Sequence, residues 1–242
     1  DYAERIFAAA QGQPPVRLLV NNAARFAEDT LATFGGDEFD AHMHVNVRAP
    51  AKLIQTFAER HGGGGDALVV NLLDAKLAAP NADFLSYTLS KQALAGLTEL
   101  AARALAGKGI RVNGVVPGYT RTPMTAFISA EEHEALLATI PLGRQGEPDE
   151  VASVMAFLAS DEAAYVTGAV WACAGGRTAV RAAQLTTSGT LQAVADLGGS
   201  HDDVGTALAS DKGGNVYVTG NTSSSSQSGS AFPTTPKAFQ WD

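Results

Sequence analysis

The chain has 242 residues, of which 45% are hydrophobic, so it can bury a substantial core in one or two domains. Its 17 basic and 25 acidic side chains give a formal net charge of −8, and no basic cluster suits a nucleic-acid partner. The single cysteine excludes an intrachain disulfide, and no apolar run reaches the roughly 18 residues that a membrane span needs.

Residues 1–177 alternate between strand-like and helix-like patterns. Short apolar runs bounded by turn residues predict buried parallel strands, whereas apolar residues spaced i, i+3, i+4 and i+7 predict helices. The predicted strands are 16–20, 67–72, 110–116 and 169–173, and the predicted helices are 2–10, 38–60, 87–106 and one that begins at Pro148. This alternation predicts an α/β domain with a doubly wound parallel sheet over residues 1–177.

The composition changes after Gly176. Serine, threonine and glycine become dominant and helical periodicity fades, while short strand-like runs recur at 191–194 and 215–219. We therefore expect residues 181–242 to be a second, small segment of β type or partly disordered, separate from the first pattern.

Tyr87 and Lys91 form a Tyr-x-x-x-Lys pair within a predicted helix. This spacing puts both side chains on one helix face, where an ammonium group favours the phenolate and lowers the pKa of the tyrosine. Such a tyrosine can exchange a proton with a carbonyl or an imine while a cofactor exchanges hydride. Taken alone, the pair is weak evidence, because such a spacing more often marks an exposed polar pair on a helix surface.

The motifs around this pair resemble those of the short-chain dehydrogenase/reductase family over residues 1–177. The matching stretches are LVNNAA at 19–24, Asn46, Tyr87-x-x-x-Lys91, RVNGVVPG at 111–118, PLGRQGEPDEVASVMAFLAS at 141–160 and YVTG at 165–168. The resemblance implies a Rossmann-like fold and a nicotinamide cofactor, NADP or NAD, with a small-molecule substrate.

The resemblance also implies a role for each matching position. Tyr87 would donate and accept the proton, Lys91 would lower its pKa and hold the nicotinamide ribose, and Asn46 would position a water molecule in the proton relay. The remaining family positions would contact the cofactor: Asn21, Ala23, Pro117, Gly118 and Thr122.

Asp74 stands where most members of the family carry a serine that orients the substrate. This feature resembles the pteridine reductase branch, because reducing a pterin C=N bond needs a proton at nitrogen, which a carboxylate beside the tyrosine could relay. Two alternatives stay open. Asp74 could be a cap or loop residue in a carbonyl or sugar ketoreductase, or the chain could be a non-catalytic chimera that carries a binding repeat.

No glycine-rich strand-turn-helix motif of the kind that cradles a dinucleotide pyrophosphate occurs in the sequence. By comparison with the family, we expect the sheet to lack its first strands. Residues 16–20 should then form an exposed apolar sheet edge, cofactor binding should be impaired, and this exact chain should show little or no turnover.

Residues 181–242 resemble one repeat of the bacterial SBBP-type β-propeller. The matching stretches are Leu197–Gly199, Asp202–Asp203, Asp211–Gly220, Phe232–Thr235 and Ala238–Gln240. One repeat cannot close a propeller, so the segment is either part of a binding module or a lone β-meander. The three aspartates at 202, 203 and 211 lack the spacing of a calcium loop.

The two halves imply different compartments. The reductase-like half predicts a cytoplasmic protein, whereas the repeat by itself would suggest a location outside the cytoplasm. The family likeness also makes a homo-oligomer possible. We predict no metal site: His42 and His44 diverge on a helix and are expected to be surface histidines, and Gly62–Gly65 is expected to be a flexible connection rather than a phosphate cradle.

Overall fold

A computed structural model describes residues 1–62, 65–126 and 128–177, together with the backbone of four later strands. The chain divides into two compact units, Asp1–Thr178 and Ala179–Asp242, and each is described by itself.

The first unit alternates helices and strands. Its helices are α1 Tyr2–Ala9, α2 Gly36–Met43, α3 Ala49–Arg60, α4 Leu85–Leu105, α5 Ala130–Ala138 and α6 Pro148–Ala159. Its strands are β1 Leu18–Asn21, β2 Ala67–Leu72, β3 Ile110–Pro117 and β4 Val170–Cys173. A π-helical turn, His44–Arg48, joins α2 to α3.

The four strands form one parallel sheet in the order β1-β2-β3-β4. The predicted α/β class with a Rossmann-like parallel sheet is confirmed. Strands β2 and β3 are buried along nearly their whole length, which explains why each reads as a continuous apolar run rather than as an alternating one.

Side chains alternate between two hydrophobic layers, one on each face of the sheet. On one face, Val69 and Val112 pack with Phe57 of α3 and Ala101 of α4. On the other face, Leu68, Val70 and Val115 pack with Val151 and Leu158 of α6. Helices therefore cover both faces, as expected of a doubly wound sheet.

Strand β1 is the outer strand of the sheet among the described residues. It pairs with β2 on one side only, and Val16, Leu18 and Val20 are 37, 42 and 38% exposed. This exposure agrees with the apolar edge expected from the sequence, and such an edge is a template for pairing with another strand.

Arg111 ties the start of β3 to the connection between α6 and β4. Its buried guanidinium donates to the carbonyl oxygens of Leu158 and Ala163 at 2.8 and 3.0 Å, and to the Asp66 carboxylate at 2.9 Å. Because the two carbonyl groups belong to buried residues, Arg111 satisfies acceptors that solvent reaches poorly.

The second unit contains four strands, β5 Arg181–Leu185, β6 Leu191–Asp196, β7 Asp203–Ser210 and β8 Val216–Thr222. They pair antiparallel as β5–β6 and β7–β8, in two separate two-stranded sheets within the described backbone. The strand-like runs predicted near 191 and 216 are confirmed. Most of the other matching stretches, including 197–199, 211–215 and 232–240, lie outside the described residues.

Candidate active site

Predicted site residues from three strands meet at one edge of the sheet. Asn21 ends β1, Asp74 follows β2 by two residues, and Pro117 ends β3 with Gly118 directly after it. Since the strands are parallel, their carboxyl ends share this edge, where ligands of open α/β sheets bind.

Tyr87 and Asp74 are in direct contact. The Tyr87 hydroxyl donates to Asp74 Oδ2 at 2.7 Å, and Asp74 Oδ1 accepts from the backbone N–H of Lys76 at 2.8 Å. Asp74 is therefore both a loop cap and a partner of the phenol. The bond from Lys76 fixes the carboxylate where it can accept from the Tyr87 hydroxyl. Tyr87 is 2% exposed, whereas Asp74 is half-buried.

Lys91 lies one turn beyond Tyr87 and is 3% exposed. Its ammonium is 5.7 Å from the centre of the Tyr87 ring and donates to the carbonyl oxygen of Leu72 at 2.7 Å. Burial lowers the pKa of Lys91 to about 8, with the Asp74 carboxylate opposing the shift. The ammonium has three N–H groups, and this single contact among the described residues leaves two free to bind hydroxyl oxygens.

The expected direction of the tyrosine pKa is wrong for this structure. Burial raises the pKa of Tyr87 above its usual range, and the charge and hydrogen bond of Asp74 raise it further. Both effects favour the neutral phenol. Tyr87 is thus held as a proton donor that points at a carboxylate.

Asn46 lies in the π-helical turn and is fully buried. Its amide accepts from the backbone N–H of Arg25 at 2.7 Å and donates to the Arg25 carbonyl at 3.0 Å and to Ser90 Oγ at 2.8 Å. Ser90 in turn donates to the Tyr87 carbonyl at 2.7 Å, so Asn46 is linked to the tyrosine's helix. Its predicted role in holding a water molecule stays a prediction.

An aromatic cluster beside Tyr87 was not expected from the sequence. The Phe26 ring stacks on Phe84 with centroids 4.6 Å apart and meets the Tyr87 ring edge-on at 4.8 Å. The Lys76 ammonium lies 4.3 Å from the centre of the Phe84 ring. Phe26 remains partly exposed, so its ring forms an apolar wall that a substrate can reach.

Asp29 supports the helix that carries Tyr87, a role that the sequence did not indicate. It is buried, and its carboxylate accepts from the backbone N–H of Ser86 at 2.9 Å and from the Ser86 hydroxyl. Phe84, the cap residue of α4, makes no side-chain cap bond, so Asp29 supplies this helix end from a distant loop. Only the folded loop brings Asp29 to Ser86, which explains why no local pattern reveals it.

The predicted cofactor contacts lie around the same edge. Asn21 donates from its amide to Asn71 at 2.7 Å, and its buried Oδ1 has no hydrogen-bond partner among the described residues. Ala23 is exposed in the following loop. Thr122 caps a short 3₁₀ turn and, with Tyr119 and His133, lines an open cavity of about 460 Å³.

Lys91 and Asn21 offer polar groups suited to the hydroxyl groups of a dinucleotide. Among the described residues, the remaining N–H groups of Lys91 and the Asn21 Oδ1 have no partner, so they offer donors and an acceptor at the carboxyl ends of the strands. The pyrophosphate end lacks a comparable match, since the sequence contains no glycine-rich strand-turn-helix motif.

Two other expectations concern histidines and metals. His44 is exposed as predicted, but His42 is fully buried, so the expectation of a surface histidine is wrong for His42. In the part of the chain that the structure describes, no three His, Cys, Asp or Glu side chains gather into a metal-type cluster. Across the same residues, no helix is both long and apolar enough to cross a membrane.

Parts of the chain are similar in sequence to known proteins. A β-propeller repeat model matches residues 197–226. Among curated proteins, the chain is 37% identical over 161 residues to 3-oxoacyl-acyl-carrier-protein reductase of Thermotoga maritima, covering 66% of this chain and 65% of the relative. It is 40% identical over 157 residues to 3alpha-hydroxysteroid dehydrogenase of Mediterraneibacter gnavus, covering 64% of this chain and 62% of the relative.

A third relative is (3R)-3-hydroxyacyl-CoA dehydrogenase of Rattus norvegicus, 34% identical over 163 residues that cover 67% of this chain and 63% of the relative. The chain thus spans slightly less than two thirds of the length of each of these relatives. They are named for acyl and steroid substrates, so the narrower prediction of a pteridine reductase remains a proposal. A family model described as enoyl-(acyl carrier protein) reductase matches residues 2–178, and the chain belongs to the short-chain dehydrogenase/reductase family.

Proposed function

We propose that residues 1–177 carry the proton-transfer site of an NAD(P)(H)-dependent oxidoreductase that acts on a small molecule. One observation carries this proposal: a buried Tyr87 hydroxyl donates to Asp74 at 2.7 Å, with the Lys91 ammonium 5.7 Å from the tyrosine ring. A buried phenol that donates to a half-buried carboxylate is suited to giving its proton to a substrate. It can regain a proton from solvent through that carboxylate.

The reaction balances as a reduction of a polar double bond. A bound nicotinamide would supply hydride to carbon, and Tyr87 would give its proton to the nitrogen or oxygen that receives the electron pair. The Lys91 ammonium stabilises the phenolate that remains. Asp74 is half-buried, so it can collect a proton from water and return it to Tyr87 along their hydrogen bond.

For the substrate, we favour a pterin-like ring with a C=N bond. Asp74 supports this choice because reduction at a ring nitrogen benefits from a carboxylate that relays protons, whereas a serine mainly holds a ketone oxygen. The stacked Phe26 and Phe84 rings beside Tyr87 also suit a flat substrate. A second candidate is a 3-oxoacyl or other carbonyl substrate, which the names of the relatives favour.

The cofactor is NADP or NAD: Lys91 would hold the nicotinamide ribose, Thr122 would lie near the nicotinamide amide, and Asn21 would lie near the adenine-side ribose. We expect the chain by itself to bind the cofactor weakly, since it offers no glycine-rich turn to the pyrophosphate. Residues 181–242 are proposed to be one β-propeller-type repeat, which the match over 197–226 and the antiparallel strand pairs support.

The test compares the 242-residue chain with the same chain preceded by a family-type N-terminal segment that contains a glycine-rich turn. Oxidation of NADPH and NADH is followed with dihydrobiopterin and with acetoacetyl-CoA. We expect little turnover from the unextended chain and clear turnover from the extended one, which Tyr87→Phe should reduce by at least about a hundredfold. An extended, cofactor-binding protein whose turnover is unaffected by Tyr87→Phe would refute the proposal.

The substrate choice has its own control. Asp74→Ser creates the residue most of the family carries at this position, so it should lower the rate with dihydrobiopterin and spare or improve the rate with acetoacetyl-CoA. If Asp74→Ser improved pterin reduction instead, the relay role of Asp74 would be wrong and the carbonyl candidate would stand.

A further inference from the structure

His42 is a fully buried histidine that the proposed reaction does not use. It lies one helical turn before Asn46 and contacts the loop after β1. Its Nε2 lies 3.3 Å from the backbone nitrogen of Ala27, and its Nδ1 lies 2.9 Å from the carbonyl oxygen of Glu38.

These two contacts fix the position of the ring proton. A backbone N–H can only donate, so Nε2 must offer its lone pair to Ala27, and the proton must lie on Nδ1, where it reaches the Glu38 carbonyl. The Glu38 carboxylate is 3.1 Å from Nδ1, but it is also held by the Arg25 guanidinium through two hydrogen bonds. A neutral ring therefore satisfies both nitrogens, whereas a doubly protonated ring would set Nε2–H against the N–H of Ala27.

The loop is fastened on both sides of Phe26. Asn46 binds the N–H and the carbonyl of Arg25, and His42 binds the N–H of Ala27. The ring of Phe26, between these two anchor points, meets the Tyr87 ring edge-on at 4.8 Å. The His42 ring itself lies 6.3 Å from that of Tyr87.

We propose that His42, as the neutral Nδ1–H tautomer, is a positioning residue that forms a two-point clamp with Asn46 and holds Phe26 against Tyr87. The clamp sets the wall of the site where the substrate would lie. This inference rests on the proposed function only in taking Tyr87 as the reacting residue, and its test requires no turnover.

The first experiment uses the full chain without cofactor or substrate, labelled with ¹⁵N in its histidines. The His42 signals, identified by their loss in His42→Gln, should show a protonated Nδ1 and an unprotonated Nε2 in neutral to mildly alkaline buffer. A proton on Nε2, or a doubly protonated ring, would overturn the proposal.

The second experiment compares His42→Gln with His42→Leu, with the exposed neighbour His44→Leu as the matched control. Glutamine can place an acceptor oxygen where Nε2 lies, and leucine cannot. We expect the Ala27 amide to exchange with deuterium about tenfold faster in His42→Leu, and at nearly the native rate in His42→Gln and His44→Leu.

The Tyr87 ring resonances report the position of Phe26 through its ring current. They should shift in His42→Leu and stay close to native in His42→Gln. Unchanged Ala27 exchange and unchanged Tyr87 resonances in His42→Leu would refute the clamp. Because neither readout depends on hydride transfer, a failure here is distinct from a failure of the proposed oxidoreductase function.

Discussion

Removing the Asp29 carboxylate should destabilise the first turn of α4, the helix that carries Tyr87 and Lys91. The substitution Asp29→Ala takes away the acceptor of two hydrogen bonds from Ser86, one from its backbone N–H and one from its hydroxyl. Ser86 is fully buried, so water cannot easily replace either bond.

The magnitude follows from these two contacts. A buried donor left without a partner costs about 1–3 kcal/mol, so Asp29→Ala should lower the free energy of unfolding by about 2–6 kcal/mol. That is a large part of the roughly 5–15 kcal/mol that stabilises a typical domain. Ser86→Ala removes one bond and leaves the backbone bond in place, so it should cost about half as much.

Urea unfolding followed by the helical circular dichroism signal measures both changes, because the described helices all belong to the first unit. Asp40→Ala, which alters an exposed aspartate, is the control and should change the free energy by less than about 0.5 kcal/mol. If Asp29→Ala were no more destabilising than Asp40→Ala, the capping role of Asp29 would be refuted.

Three further predictions concern the sheet, a close backbone contact and pH. Arg111→Met should lower the free energy of unfolding in urea by about 2–5 kcal/mol, because it leaves two buried carbonyl groups without a donor. Asp66→Asn should cost less than about 1 kcal/mol, since the Asp66 side chain is 58% exposed and water can replace its bond, and equal losses would contradict this assignment. Gly118→Ala should lower the free energy of unfolding by about 1–3 kcal/mol, because the added Cβ would lie 2.6 Å from the Cα atom of Ala174. Gly96→Ala, in the open middle of α4, should be neutral or stabilising. Burial lowers the pKa of Lys91 from 10.5 to about 8, so the unfolded chain binds this proton more tightly than the folded chain does. The free energy of unfolding should therefore rise by about 2–3 kcal/mol between about pH 8 and 10. Lys91→Met should abolish that rise, and an unchanged pH profile in the variant would show that Lys91 does not cause it.

Much of the fold could be predicted because its strands are buried on both faces. The apolar runs of β2 and β3 have no other plausible location in a small α/β domain, and β2 was predicted with the bounds that the structure shows. The predicted helix over 38–60 is instead broken by the π-helical turn. Pro50 has no N–H to bond with the carbonyl of Asn46, so this proline is a local cause of the irregular turn.

The site was predicted less completely, and the reason is physical. Tyr87, Lys91 and Asp74 stand out because helical spacing and family motifs are local features of the sequence. Asp29 and His42 act through contacts with residues distant in sequence or with the backbone of a loop, and such contacts exist only in the folded chain.

The direction of the pKa shift of Tyr87 also depends on contacts that exist only in the folded chain. Helical spacing correctly places an ammonium group near the tyrosine ring, but spacing says nothing about burial or about which group the hydroxyl contacts. In the folded chain, burial and the Asp74 carboxylate dominate, and both favour the neutral phenol.

The central claim is that the Asp74 carboxylate accepts the Tyr87 proton in a hydrogen bond. An alkaline titration followed by the ¹³Cζ resonances of the five tyrosines tests it. We predict that Tyr87 stays protonated beyond the pH of about 10 at which a free tyrosine ionises, because burial and the Asp74 carboxylate raise its pKa. Asp74→Asn should allow Tyr87 to ionise at least about tenfold more readily, since a charge-assisted bond has been removed. Ionisation of Tyr87 at the pH of a free tyrosine in the native chain, or no change in Asp74→Asn, would contradict the claim.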